Sequence, residues 1–166
     1  MQYVDVRKSQ GSHELDAPPW LRVEATLMAT ARLIREAFDH RFAELDLNLT
    51  QASILAYVSD FGPVTQTKIA DHLGQGRAAT GATIDRLQER GLVERQPDFD
   101  DRRVWQIQLT PGGRDLVARI GEIDETLRTE LRAGISRADR QALATVMRQL
   151  QTNLRAATAE PLAPQT

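Results

Sequence analysis

The sequence lacks cysteine, and aromatic residues make up only 5% of its 166 residues. A chain without thiols has no disulfide framework, no thiolate metal site and no cysteine nucleophile. No window approaches the eighteen or so uninterrupted apolar residues of a membrane-spanning helix, and the N-terminal part carries no apolar signal core. We therefore expect a cytoplasmic protein that makes no membrane contact.

An excess of charge of one sign is also missing, because 21 basic and 23 acidic residues give a formal net charge of −2. The net charge of the chain therefore does not indicate a polyanionic partner. The distribution is uneven, however. Residues 61–114 hold eight basic and seven acidic side chains, whereas the rest of the chain holds 13 and 16. The middle of the chain is mildly basic and its flanks are acidic.

Residues that carry out catalysis or bind metals do not occur in informative spacings. The three histidines, His13, His40 and His72, share no ligand spacing, and there is no H-E-x-x-H run. Nor is there a Ser/His/Asp series, a phosphate-cradling glycine loop after a strand, or a cluster of carboxylates with metal-ligand spacing. We expect neither an enzyme nor a metal or cofactor site.

Two long stretches, residues 18–46 and 110–155, repeat apolar residues at steps of three and four, which predicts amphipathic helices. In the second stretch, Gly134 is an expected helix stop, and Ser136 with Asp139 has the spacing of a capping box. Residues 1–17 and 156–166 lack this periodicity and predict a flexible leader and tail. The stripe of the first stretch comprises Trp20, Val23, Leu27, Ala31, Ile34, Phe38, Phe42 and Leu45.

Residues 47–109 predict three short helices followed by a hairpin. Thr50 and Thr65 are the expected N-caps of the first two helices, and Gly91 stops the third. The hydrophobic period then changes to two in residues 92–96 and 104–109, which predicts two strands joined by a charged turn.

A short helix, a glycine turn, a second helix and a hairpin are the plan of a winged helix-turn-helix. We therefore expect a mainly α fold with a small β-hairpin, flanked by long helices that form a homodimer through their apolar stripes. A two-fold dimer would place two reading helices about 34 Å apart and favour pseudo-palindromic double-stranded DNA. The residues predicted for dimerisation are Leu27, Ile123, Leu127, Leu143, Val146 and Leu150.

Four motifs in this order resemble the MarR family of bacterial and archaeal transcriptional regulators. They are T-Q-T-K-I-A at residues 65–70, D-R-L-x-x-R-G-L-V-x-R at residues 85–95, and a D-x-R wing at residues 101–103 followed by L-T-P-x-G at residues 109–113. The resemblance extends from about Trp20 to Leu154. It implies a homodimeric DNA-binding regulator, in the first place a repressor, relieved by a small aromatic or phenolic ligand.

The resemblance also assigns roles in the predicted wing. Arg103 matches the arginine that enters the minor groove, and Asp101 matches the carboxylate that holds this arginine in place. Arg95 and Arg102 are candidate phosphate contacts. The plain alternative is a solvated turn with an incidental ion pair.

Further candidate DNA contacts lie on the two helices before the wing. The small residues of the third helix allow close approach to the groove but supply few hydrogen bonds, so the wing and DNA shape would carry much of the specificity. Alternatives are an N-cap role for Thr65, helix packing for Gly81, and an ion pair with Asp85 or Glu89 for Arg86. The candidates are Thr65, Gln66, Lys68, Arg77, Ala78, Gly81, Ala82 and Arg86.

An effector pocket is expected in the region between the dimer helices and the DNA-binding lobe, although core packing or a solvated polar surface is the favoured interpretation of each candidate residue taken singly. A second class of function is a winged helix that has lost DNA binding and joins proteins through its surfaces. Salt dependence separates the two classes, because phosphate contacts give a steep slope. The pocket candidates are Trp20, Phe38, His40, Arg41 and Tyr57.

Overall fold

The computed structural model of the protein describes residues 23–159. The predicted leader (1–17), the start of the first long helix, Trp20 and residues 160–166 lie outside this range. The elements in chain order are α1 (Val23–Phe42), a 3-10 turn (Ala43–Leu45), α2 (Leu49–Phe61), β1 (Val64–Thr65), α3 (Gln66–Leu73), α4 (Arg77–Glu89), β2 (Val93–Pro97), β3 (Trp105–Leu109), α5 (Pro111–Arg132) and α6 (Arg137–Ala159). The order and type of these elements confirm the predicted winged helix-turn-helix with long helices on either side.

The chain divides into two compact units, of which the first ends at Asp124 and the second begins at Glu125. The core of the first unit is formed by the short helices and the sheet. The residues predicted to face inward on α2, α3 and α4 are buried, with the exception of Leu73, which is half-buried. Fully buried side chains of this core include Ile54, Leu55, Ile69, Ile84, Leu87 and Ile107.

The apolar stripe of α1 is buried only towards the C-terminal end of the helix. Phe38 and Phe42 are buried and their rings stack at 5.7 Å, and Leu45 is buried in the 3-10 turn that follows. Earlier in the same stripe, Ile34 is 39% exposed and Ala31 is exposed. The first half of the helix therefore presents apolar side chains that the described residues of its unit leave exposed.

The start of α2 differs from the sequence prediction, which placed the N-cap at Thr50. The N-cap is Asn48, whose side-chain oxygen accepts a hydrogen bond from the amide of Gln51 at 2.9 Å. The side chain of Gln51 accepts in turn from the amide of Asn48 at 3.0 Å. This reciprocal capping box satisfies two amides at once, so it fixes the helix start two residues earlier.

The sheet has three strands in the order β1-β3-β2, and both pairs are antiparallel. The sequence predicted β2 and β3 but not β1, because a two-residue strand is too short to show a hydrophobic period. In β1, Val64 is buried and pairs with Ile107 of β3. This pairing anchors the base of the β2–β3 hairpin beside the start of α3.

Two glycines fix the connections around this hairpin. Gly91 follows α4 with a φ of +67°, a left-handed conformation that favours glycine, as predicted for the helix stop. Gly113 lies in the first turn of α5, where an added Cβ would stand 2.0 Å from the carbonyl oxygen of Leu92. The last glycine of the L-T-P-x-G motif therefore permits close contact between α5 and the chain that enters β2.

The second unit contains the end of α5 and the whole of α6. Gly134 has a φ of +75° and ends the first of these helices, as predicted. Ser136 caps α6 by accepting from the amide of Asp139 at 3.1 Å, and the Asp139 carboxylate accepts from the Ser136 hydroxyl at 2.6 Å. Helix α6 continues to Ala159, past the predicted end of the helical stretch at residue 155. No helix in residues 23–159 is long and apolar enough to cross a membrane.

Candidate DNA-binding site

The turn between α3 and α4 is held by side chains that the sequence suggested as DNA contacts. Thr65 is the N-cap of α3 and accepts from the amide of Lys68 at 3.3 Å. The amide group of Gln66 donates to the carbonyl of Arg77 at 3.0 Å and so joins the starts of the two helices. A Cβ at Gly81 would lie 2.8 Å from that same amide nitrogen. Gln66 and Gly81 therefore contact each other, which favours the packing interpretation for Gly81.

Helix α4 exposes a surface of small side chains followed by acidic ones. Arg77, Ala78 and Ala82 are exposed, and Asp85 and Glu89 continue the same face towards the C-terminal end. The opposite face is buried, and it includes the hydroxyl of Thr80, which donates to the carbonyl of Gly76 at 3.2 Å. The first turns of α4 are thus narrow and carry one arginine, in agreement with the expectation of close approach and few side-chain hydrogen bonds.

Two of the predicted phosphate contacts have different surroundings. Arg95 on β2 donates to Asp85 at 2.5 Å and to Gln88 at 2.7 Å, both on α4, and its side chain is 26% exposed. Asp85 therefore compensates the charge of Arg95, and the two hydrogen bonds join the hairpin to α4, which is the predicted recognition helix. Arg86 is exposed and, within the described part of the chain, makes no ion pair with Asp85 or Glu89.

The turn of the wing is organised by Asp98. One carboxylate oxygen accepts from the amides of Asp100 (2.9 Å) and Asp101 (3.1 Å), and the other accepts from the side-chain amide of Gln106. The hydrogen bonds from the amides of Asp101 and Asp100 lower the pKa of the Asp98 carboxyl below its ordinary value. Asp98 was not among the residues predicted from the sequence, although an aspartate that accepts hydrogen bonds from the amides two and three residues later is typical of turns.

Asp101 and Arg103 contact each other through the main chain. The carboxylate of Asp101 accepts from the backbone amide of Arg103 at 3.0 Å, whereas the resemblance predicted that it holds the guanidinium. The side chains of Arg102 and Arg103 are exposed, and neither guanidinium pairs with another side chain within residues 23–159. The wing therefore presents two uncompensated arginines on a turn with fixed backbone geometry.

A residue that sequence reasoning read only as part of a motif, Arg90, joins the end of α4 to the turn after α1. Its guanidinium donates to the carbonyls of Asp46 (2.5 Å) and Leu45 (3.2 Å) and lies 3.6 Å from the Asp46 carboxylate. Asp46 has a φ of +55°, a left-handed conformation, at the end of the 3-10 turn. No local pattern indicates such a contact, because the partners are more than forty residues apart in sequence.

The aromatic candidates for an effector pocket stack on different partners in the described residues. The ring of Phe38 stacks on Phe42, whereas the ring of Tyr57 stacks on His72 at 4.1 Å and meets Phe61 at 4.9 Å. His40 and Arg41 are exposed near the end of α1, and Trp20 lies outside the described range. Within residues 23–159, no group of three His, Asp or Glu side chains is arranged to hold a metal ion.

Residues 45–104, from the turn after α1 to the end of the wing, match the sequence profile of the MarR family. Over these residues the chain is similar to the MarR family, as the motifs in its sequence predicted. It is a transcriptional regulator with a DNA-binding winged helix, which agrees with the expectation that it is not an enzyme. Because the profile match covers the region that contains α4 and the wing, the candidate site lies within the part of the chain that the family shares.

Several solved MarR-type regulators have the same fold. The transcriptional repressor CouR, solved with a 23-mer DNA duplex, is 29% identical with a TM-score of 0.72, and the match covers 78% of this chain and 92% of CouR. BpsR of Bordetella bronchiseptica, whose DNA binding is regulated by 6-hydroxynicotinic acid, is 23% identical with a TM-score of 0.74 over 81% and 96% of the chains. MepR of S. aureus, solved with DNA, is 18% identical with a TM-score of 0.76 over 82% and 99%.

Proposed function

We propose that the protein is a homodimeric repressor in the cytoplasm that binds pseudo-palindromic double-stranded DNA and is released by a small aromatic anion. The observation that carries the DNA-binding part is the wing, where Arg102 and Arg103 have no side-chain partner among residues 23–159 and extend from a turn whose backbone is fixed by Asp98 and Asp101. A guanidinium suits the negative potential of a narrow minor groove, and a preorganised turn lowers the entropy lost when it binds.

Additional support comes from the recognition helix and from the structural relatives. Arg77 is exposed in the first turn of α4, where a side chain reaches base edges or phosphates, and Lys68 is exposed near the start of α3. CouR and MepR, which share the fold, are both found in complexes with DNA. The other predicted contacts on these helices, Thr65, Gln66, Ala78, Gly81, Ala82 and Arg86, would then line or support the DNA surface, with Arg95 holding the hairpin against α4.

The dimer is supported by apolar side chains that one chain leaves exposed. Leu143 and Val146 of α6 are 56% and 63% exposed, and Leu27, Ile123 and Leu150 are half-buried. Leu127 is already buried within the single chain, with an exposed fraction of 4%, so we propose that it packs beside the interface. A second copy of the chain is the most economical cover for such helices, because a two-fold axis pairs each stripe with itself.

The effector is supported by one relative and by the family. The DNA binding of BpsR is regulated by 6-hydroxynicotinic acid, an aromatic acid. An effector weakens DNA binding only by as much as it prefers the geometry that does not bind DNA. We test this by titrating benzoate- and nicotinate-type acids into the complex with DNA at constant ionic strength. Release by aromatic acids but not by acetate supports the proposal, and equal behaviour of both kinds of acid refutes an aromatic effector.

The wing assignment is tested by fluorescence anisotropy on duplexes that the protein itself selects from a random library. Arg103→Ala is expected to weaken binding by about tenfold or more, while Arg103→Lys retains part of the affinity. Arg119→Ala, which removes an exposed arginine from α5, is the charge-matched control and should change the affinity little. Equal affinities for wild type and Arg103→Ala would contradict the assignment. Failure to select any duplex would instead favour a winged helix that binds proteins.

A further inference from the structure

The tip of the wing carries a phenylalanine that no residue in the described part of the chain covers. Phe99 is 99% exposed, the highest exposure among the large apolar residues in residues 24–158. Val104 and Trp105, at the other end of the same turn, are 36% and 55% exposed. The end of the hairpin therefore exposes apolar side chains. This exposure is unfavourable, because an apolar side chain has a higher free energy in water than when it is buried.

The backbone of the turn directs Phe99 outward. Asp98 accepts from the amides of Asp100 and Asp101, so Phe99 is the residue around which the chain reverses. The amide of Asp98 also donates to the carbonyl of Val104 at 2.8 Å, and this bond closes the turn. Because this turn is fixed by its own hydrogen bonds, Phe99 does not need to pack inward to order it.

The turn holds three carboxylates and two guanidinium groups, so the placement of the charges around Phe99, and not their net sign, favours DNA over an apolar protein surface. The carboxylates of Asp98 and Asp101 are directed at amides within the turn, and Asp100 is the remaining acid. Arg102 and Arg103 follow in the same turn with unpaired guanidinium groups. An exposed apolar side chain beside arginines is the composition that proteins use when they widen and kink DNA from the minor groove.

We propose that Phe99 inserts its ring at the edge of a base step in the minor groove, next to Arg103, and so bends the bound DNA. This inference rests on the proposed function, because it requires the wing to reach the minor groove. It goes beyond that function, because it makes the wing a device that reads deformability. Pyrimidine–purine steps, which unstack easily, are then expected at the positions below each wing.

The experiment compares Phe99→Ala, Phe99→Leu, Arg103→Ala and Phe61→Ala on a duplex selected by the wild-type protein. Phe61 is the matched control, because it is 63% exposed at the end of α2 and is absent from the wing. Anisotropy gives affinity over a range of salt concentrations, and end-to-end energy transfer on the labelled duplex gives the bend. Circular dichroism and the molecular mass verify that each variant keeps its fold and oligomeric state.

Phe99→Ala is expected to weaken binding by about tenfold and to reduce the bend, while the slope of log K against log salt stays that of wild type, because no charge is lost. Phe99→Leu, which retains an apolar wedge, and Phe61→Ala should stay close to wild type. Arg103→Ala should weaken binding and also make the salt slope shallower by about one unit per lost contact.

Unchanged affinity and bend in Phe99→Ala, together with a loss in Arg103→Ala, would overturn this inference and leave the proposed function standing. Unchanged binding in both variants would remove the wing from the DNA altogether and count against the proposed function. A lower molecular mass of Phe99→Ala with unchanged DNA bending would identify Phe99 as a protein contact and would also overturn the inference.

Discussion

At the scale of single residues, the motifs that identify the family also have structural roles. Arg90 and Gly91 of the D-R-L-x-x-R-G-L-V-x-R motif end α4, but only Arg90 reaches across the fold to the carbonyls of Leu45 and Asp46. Gly113 of the L-T-P-x-G motif is required because the carbonyl of Leu92 occupies the space of a side chain. These contacts place the recognition helix and the hairpin relative to α1 and α5.

Replacing Arg90 is expected to destabilise the protein without touching the DNA surface. Arg90→Ala removes two charge-assisted hydrogen bonds to carbonyls, and we expect a loss of about 2 kcal/mol in the free energy of unfolding. Urea denaturation gives the value. Arg86→Ala, in the same helix but exposed and without a described partner, should differ from wild type by less than about 0.5 kcal/mol. Equal stabilities of the two variants would contradict the role of Arg90.

The two consecutive glycines of α5 make a matched pair. Gly113→Ala places a Cβ against a backbone carbonyl that cannot move aside, and we expect it to destabilise the fold by about 2 kcal/mol or more. At Gly112 the nearest atoms are 3.9 Å from an added Cβ, so Gly112→Ala should be neutral or stabilise the helix by up to about 1 kcal/mol. Thermal unfolding of both variants measures the difference, and a similar effect at both positions would refute the close contact.

At the scale of elements, the sequence predicts the helices, the hairpin and their order, but not the contacts that join them. Periods of 3.6 and 2 reveal which faces are apolar, and the glycines at 91 and 134 mark the helix ends. The strand β1 was not predicted, because it has only two residues and is defined by its pairing with β3. The contacts of Arg95 with Asp85 and Gln88, and of Gln66 with the carbonyl of Arg77, also depend on the assembled fold.

The candidate site likewise has residues that a local sequence motif indicates and residues whose role depends on the folded geometry. Arg102 and Arg103 were found from the sequence because the wing motif is local, and the structure leaves both exposed. The sequence did not reveal that Asp98 orders the turn, because a sequence does not show whether an aspartate in a turn accepts hydrogen bonds from the backbone or from water. Distinguishing these two states requires the geometry of the turn.

The order of the wing is expected to depend on Asp98 and on its charge. Asp98→Ala should accelerate hydrogen exchange of the Asp100 and Asp101 amides and weaken DNA binding, while Asp100→Ala removes the same charge without a described side-chain contact. Electrostatics alone predicts stronger DNA binding in both variants, so a difference between them isolates the turn. Identical exchange rates and affinities in the two variants would contradict the role of Asp98.

The pH dependence of the turn follows from the direction of the pKa shift. Because the pKa of Asp98 is lower in the folded turn than in the unfolded chain, its contribution to stability is fully present above the unfolded pKa and is lost as the pH falls through the folded pKa. Titration of the Asp98 carboxyl carbon by NMR should give a midpoint below the ordinary value of an aspartate carboxyl. A midpoint at or above the ordinary value of aspartate would refute the hydrogen bonds to Asp98.

At the scale of the whole molecule, the surfaces that we propose for DNA binding and for dimerisation are formed by different elements. The stripe of Leu143, Val146, Leu150 and Leu154 lies along one face of α6, and the exposed residues of that stripe lie far along the chain from the wing. A dimer that places two winged helices on one duplex binds it with a higher affinity than one winged helix does, because the second binding event is intramolecular. We therefore expect a variant that loses the dimer to lose most of its DNA affinity.

The dimer is tested by Val146→Glu, which places a charge in the proposed interface. We expect its molecular mass to fall from twice the chain mass of 18.6 kDa to a single chain mass, since an unpaired charge in an apolar interface is costly. Thr152→Glu introduces the same charge on the opposite face of α6 and should leave the dimer intact. Sedimentation equilibrium measures both masses. A monomeric wild type, or a dimeric Val146→Glu, would contradict the proposed interface.

The account is tested most directly by the affinity of the wild-type dimer for its selected duplex as a function of salt. Neutralisation of several phosphates by two wings and two recognition helices predicts a straight line of log K against log salt with a slope steeper than about −3, and tighter binding than to a scrambled duplex at each salt concentration. A slope near zero, or equal affinity for both duplexes with the dimer intact, would contradict sequence-specific DNA binding.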